Sequence, residues 1–150
     1  MNPKSLIRLT FLLIPLAAVL ILAAPALAQN EPAEGTGLTK TAASEAYDEK
    51  ALEKLQTMSP EEVDELDRKL AEALTLFYDR EYARALPIFK DIADTVETMD
   101  VAFWLGSCAA KAGETELAIR KFQEMLRVDP NLHRVRLELA TIYFSLGRYA

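Results

Sequence analysis

The chain has 150 residues, of which 51% are apolar and 27% charged, and carries a formal charge of −6. This is the composition of a globular or repeat protein of about one domain. One cysteine, Cys108, precludes an intramolecular disulfide, and the largest basic cluster, Arg134, Arg136 and Arg148, is too small to track a phosphate backbone, so nucleic acid is not an expected partner.

Met1 to Ala28 reads as an export leader. Lys4 and Arg8 form a short positive region, an apolar run follows from Leu9 to Ala24, and Ala26-Leu27-Ala28 is a small-x-small cleavage site. Cleavage after Ala28 is expected to leave a mature chain starting at Gln29, with 15 basic against 23 acidic residues and a charge of −8. The alternative is an uncleaved anchor. Phe11 to Ala28 is 18 apolar residues, which barely spans a bilayer, and Pro15, Pro25 and the Ala-x-Ala ending favour cleavage. No membrane span is therefore expected in the mature chain. No cysteine follows the run and no adjacent arginine pair precedes it, which points to general secretion without lipidation. In a Gram-negative source the protein would be periplasmic or associated with the outer membrane.

Residues 29–44 hold Pro32, Gly35 and Gly37 without apolar periodicity and read as a flexible linker. Residues 45–58 predict a short helix with Tyr47, Ala51, Leu52 and Leu55 on one face, placed to cap the open end of the helices after it. Ser59-Pro60-Glu61-Glu62 is a helix start. Ser59 can accept from the amide three residues on, Pro60 suits the first helical position, and Glu62 completes a capping box. Val63, Leu66, Leu70, Ala73, Leu74 and Phe77 continue it as an apolar stripe. A turn at Asp79-Arg80 leads to a helix over about Tyr82 to Asp94. Pro87 within it predicts a kink, or a true start at the proline. Ala102–Ala112 and Glu116–Val128 are the next two helices, with Gly113 ending the first and Asp129-Pro130 the second. A last helix is expected over Asn131–Leu146.

The pattern repeats. Leu105, Gly106 and Gly113 return 34 residues later as Leu139, Ala140 and Gly147, and Thr115, Ala118 and Phe122 map back 33 residues to Tyr82, Ala85 and Phe89. A two-helix period of this length is the mark of a helix-turn-helix array. Gly106, Ala109 and Ala118 are small enough to let paired backbones meet, with Leu105, Phe122 and Met125 around them. Leu105-Gly106, Gly113, Ala118, Phe122 and Asp129-Pro130 resemble the tetratricopeptide repeat. Leu139-Ala140, Tyr143, Gly147 and Tyr149 match the first half of a further unit. Thr115 and Met125 depart from the family pattern, and the preceding unit lacks its glycine and terminal proline. The resemblance implies an all-α repeat solenoid of about two and a half units, over 66–98, 99–132 and an incomplete 133–150, all within residues 59–150.

The resemblance also implies a function. In tetratricopeptide proteins the first helix of each unit lines an inner wall that holds a peptide or partner protein. Those positions fall here on Asp67, Leu70, Leu74, Phe77 and Tyr78 in the first unit, and on Asp100, Phe103, Ser107, Ala110 and Lys111 in the second. In the third they fall on Arg134, Leu137, Thr141, Phe144 and Ser145. The expected binding set is Phe77, Phe103, Ser107, Lys111, Arg134, Leu137, Thr141 and Phe144. Lys111 and Arg134 are too few basic residues for the family's carboxylate clamp. Trp104 is expected to pack between units, the alternative being an exposed anchor for a partner. The run from Arg134 to Ala150 also resembles the repeat that precedes the barrel in surface lipoprotein assembly modifiers, so an N-terminal domain of a longer outer-membrane export or assembly protein is the alternative reading.

No catalytic, cofactor or metal site is expected. His133 is the only histidine and stands at a helix start, and Cys108 has no activating base in sequence. The run Glu61, Glu62, Asp64, Glu65, Asp67 lacks the spacing of a calcium loop and suits a helix N-terminus. The last helix carries Val135, Leu137, Leu139, Ile142, Tyr143, Phe144 and Leu146, apolar on more than one face. A longer protein, self-association through this incomplete repeat, or a docked partner would each cover it, the first being preferred.

Overall fold

The computed structural model describes residues 36–147. The expected leader, the first part of the linker, and Arg148, Tyr149 and Ala150 lie outside the described residues. Among the described residues six helices follow one another: α1 (Ala42–Thr57), α2 (Pro60–Tyr78), α3 (Tyr82–Thr95), α4 (Met99–Ala112), α5 (Thr115–Val128) and α6 (His133–Ser145). Each helix from α2 onward packs against the next, so the chain builds an all-α repeat array in which α2–α3 and α4–α5 are successive hairpins and α6 opens a third.

The cap chemistry explains where the helices begin. Ser59 Oγ accepts from the Glu62 amide at 3.2 Å, and Glu62 accepts from the Ser59 amide at 2.7 Å, with Pro60 at the first helical position. Thr98 caps α4 by accepting from the Val101 amide at 3.2 Å. The ends of α2 and α4 close with one motif. The Glu81 amide donates to the Leu76 carbonyl and the Glu114 amide to the Ala109 carbonyl, both at 2.8 Å. Between them sit Arg80 at φ +64° and Gly113 at φ +88°. This closure needs a left-handed residue. The first unit, which has no glycine there, forces an arginine into the conformation, which costs a residue with a side chain about 1–2 kcal/mol. Gly147, at φ +67°, occupies the same position after α6.

The hairpin seam is close. A Cβ placed on Gly106 of α4 would stand 2.7 Å from Cε1 of Phe122 on α5, closer than real side-chain contacts come. Ala118, Phe122, Leu105 and Ala109 are buried around that point. The core continues into the first unit through Ala85, Phe89 and Ile92. Trp104 joins the two units, its ring 5.1 Å from that of Phe77 and 6.0 Å from that of Tyr78. That placement follows the interunit expectation.

Several features differ from the sequence reading. α3 runs from Tyr82 through Pro87 without starting at the proline; Pro87 is exposed, as is Ala83, whose carbonyl loses the helical bond. α1 begins at Ala42, three residues early, because Thr41 caps it and exchanges hydrogen bonds with Ser44. Residues 36–41 do not hang as a linker, and α1 packs against α4 and α5 of the second unit. Ala140, the counterpart of Gly106, is exposed, because among the described residues no helix follows to pack on it.

Candidate protein-binding face

The expected inner wall divides into buried and exposed residues. Phe77, Phe103 and Ser107 are buried and present no surface to a partner in this conformation, which corrects their assignment as binding residues. Phe77 turns into an aromatic cluster, edge-on to Tyr82, Phe89 and Trp104 at 5.3, 6.4 and 5.1 Å. Phe103 is 1% exposed. Its ring lies 6.0 Å from Phe122 and 6.0 Å from Trp104, and the Arg134 guanidinium covers its outer side at 5.4 Å. An aromatic side chain at an inner position is long enough to bend back into the seam, and helical periodicity does not record that bend. Ser107 Oγ is buried without a hydrogen-bond partner.

The rest of the set is exposed. Lys111 sits with its ammonium 5.8 Å above the Tyr82 ring, near the end of α4. Leu137 is 67% and Phe144 70% exposed, one at each end of a stripe along α6 that also holds Thr141, whose hydroxyl donates to the Leu137 carbonyl at 2.9 Å. Tyr78, half exposed at the end of α2, continues the wall across the array. Burial holds its hydroxyl above the ordinary range against the opposing pull of the Arg134 charge. The exposed wall is therefore apolar and aromatic, edged by two cations, each of which already lies over a ring.

Cys108 has no chemistry to offer. It is buried, its thiol donates to the Tyr82 carbonyl at 3.4 Å, and burial pushes its pKa up to about 11, so it stays protonated at neutral pH. His133 is the exposed first residue of α6, beside the Arg136 guanidinium.

The polar network at the edge where α3 meets α4 and α5 meets α6 was not visible in sequence. Asp129 is fully buried and accepts from the Thr41 hydroxyl at 2.6 Å, the Thr41 amide at 3.3 Å and the Asn131 amide at 2.9 Å. Burial pushes its carboxyl up, but these donors outweigh it and hold the pKa below the usual carboxylate range. Asp48 of α1 accepts from the Met99 amide at 2.6 Å, satisfying a first-turn donor of α4. Lys40 bridges Asp48 at 2.7 Å and Asp100 at 2.5 Å. Burial would lower its pKa, and the two carboxylates instead hold it above the ordinary lysine value. The Tyr47 hydroxyl donates to Glu97 at 2.7 Å, and Lys121 pairs with the same carboxylate at 2.7 Å. These three groups rim a cleft of about 340 Å³ floored by Met99, Ala102 and Met125, and their polar atoms satisfy one another.

Comparison with known proteins agrees with this architecture. The model of the tetratricopeptide repeat family matches residues 70–133, from the middle of α2 to the first residue of α6. No curated protein and no solved structure matches the chain. The matched stretch contains the Gly106–Phe122 seam and the left-handed turns at Arg80 and Gly113, and over these residues the chain is similar to the tetratricopeptide repeat family.

Proposed function

We propose that the protein is an interaction module of the bacterial envelope that holds an apolar segment of a partner protein along the inner face formed by α2, α4 and α6, chiefly α6. Tetratricopeptide arrays generally mediate protein–protein contacts and are typically non-catalytic. The observation that carries the reading is the stripe of Leu137, Thr141 and Phe144, in the inner-wall register and with both apolar ends about two-thirds exposed. Lys111 and Arg134 border the wall and suit acidic residues flanking the bound segment. Arg134 is engaged over Phe103, which argues against capture of a chain-terminal carboxylate as the main contact. The test is capture of the partner from extracts of the source organism. A Leu137→Ala, Phe144→Ala pair should weaken it by roughly 30-fold, the loss of about 2 kcal/mol typical of an interface hot spot. Helicity should stay at the parent level. Undiminished capture would move the site off this face.

The envelope location rests on the leader, with Lys4, Arg8, the apolar run and Ala26-Leu27-Ala28. N-terminal sequencing of the exported protein should read from Gln29. An intact Met1 in the membrane fraction would favour the anchored alternative.

A further inference from the structure

We propose that the loop edge of the array is a second peptide-binding site, and that the chain's own Thr36–Thr41 occupies it as an exchangeable, autoinhibitory ligand. Each polar side chain of the segment other than Thr39 meets a charged group. The Thr36 hydroxyl donates to Asp100, Lys40 pairs with Asp100 at 2.5 Å, and Thr41 donates twice to Asp129. Thr36 is 5% exposed, and Leu38 packs against the core.

Gly37 shows how closely the segment is fitted. It takes φ +63°, and a Cβ there would stand 2.7 Å from Nη1 of Arg134. The guanidinium is the mobile end of an exposed side chain and can shift, so it is the left-handed backbone that favours glycine at this position. Asp100 and Arg134 are equivalent inner-wall positions on α4 and α6, so the segment crosses the mouth of the wall where the proposed partner would enter. In this respect the inference rests on the reading of the wall given above.

The contacts are mostly polar and depend on side chains, with one apolar residue among them. A segment held this way is displaced by a competitor of like chemistry. The site takes a peptide that turns at a left-handed glycine, in which a hydroxyl residue precedes that glycine and a lysine-threonine pair begins three residues after it. While it stays docked, the segment fixes Arg134 in place over Phe103. When it leaves, Arg134 and the adjoining wall open to the partner.

The chain's own sequence supplies a probe that needs no partner. A labelled peptide of residues 36–42 is titrated into the full-length parent and into two full-length variants. Lys40→Glu repels Asp100, and Gly37→Ala disfavours the left-handed backbone at position 37 without touching the Thr41 cap. Hydrogen exchange of residues 36–41 is followed in parallel. Both variants should exchange those amides faster and bind the peptide at least about ten-fold more tightly than the parent, in which the tethered copy competes at high effective concentration. The same peptide carrying Gly37→Ala should bind about ten-fold more weakly. Equal binding by parent and variants, absence of binding, or unchanged exchange would each overturn the proposal. None of these outcomes depends on capture through Leu137 and Phe144, so the two readings fail separately.

Discussion

Replacing Phe122 by alanine is expected to lower the stability of the array by about 3–5 kcal/mol. The ring is fully buried between α4 and α5 and touches both the Gly106 backbone and the Phe103 ring. Removing it leaves a cavity that the seam cannot close, because α4 and α5 are also held by their neighbours α3 and α6. In a repeat array each unit relies on the adjacent interfaces, so loss of the central seam should be felt through the whole melt. Since a domain of this size has only about 5–15 kcal/mol in hand, the thermal midpoint should fall sharply. A change under about 1 kcal/mol in denaturant titration would show that the ring does not hold the hairpin together.

Replacing Gly106 by leucine should cost about 1–3 kcal/mol through overpacking. Two effects oppose each other at this position. A residue with a side chain has a higher helix propensity than glycine, by about 0.8–1 kcal/mol for alanine. Against that, the first added atom already stands 2.7 Å from Phe122 Cε1, and a buried ring has no room to retreat. For leucine the clash wins. For alanine the two nearly balance, which makes Gly106→Ala the informative partner in a double-mutant cycle with Phe122→Leu. The smaller leucine side chain at position 122 should relieve the contact, so the two changes together should cost less than their sum by about 0.5–3 kcal/mol. Strict additivity, or an unchanged midpoint for the Gly106→Leu variant, would place the helices apart at this point.

The helices were legible because their signals are local. The expected Tyr82–Asp94 became Tyr82–Thr95, and the expected Glu116–Val128 became Thr115–Val128. Caps, left-handed turns and small residues at a 33–34-residue spacing are each written within a few positions of where they act. The docked segment 36–41 was not legible. Thr36 reaches Asp100 across 64 residues and Thr41 reaches Asp129 across 88, and such contacts leave no periodicity behind. Asp129 illustrates the difference. Beside Pro130 it reads as the end of a helix, and it is that, yet its buried carboxylate also anchors the N-terminal segment. The inner wall was half legible. The alignment placed Leu137, Thr141 and Phe144 on exposed helix surface, but it could not tell that Phe103 folds back beneath Arg134.

The central claim is that partners meet this protein on the inner face of α6. A photo-crosslinking amino acid placed at Leu137 on that face, and separately at the exposed Arg120 on α5, tests it in the living source cell. The account predicts discrete protein adducts from position 137 and none from position 120. Adducts from position 120 alone, or equally from both, would contradict it.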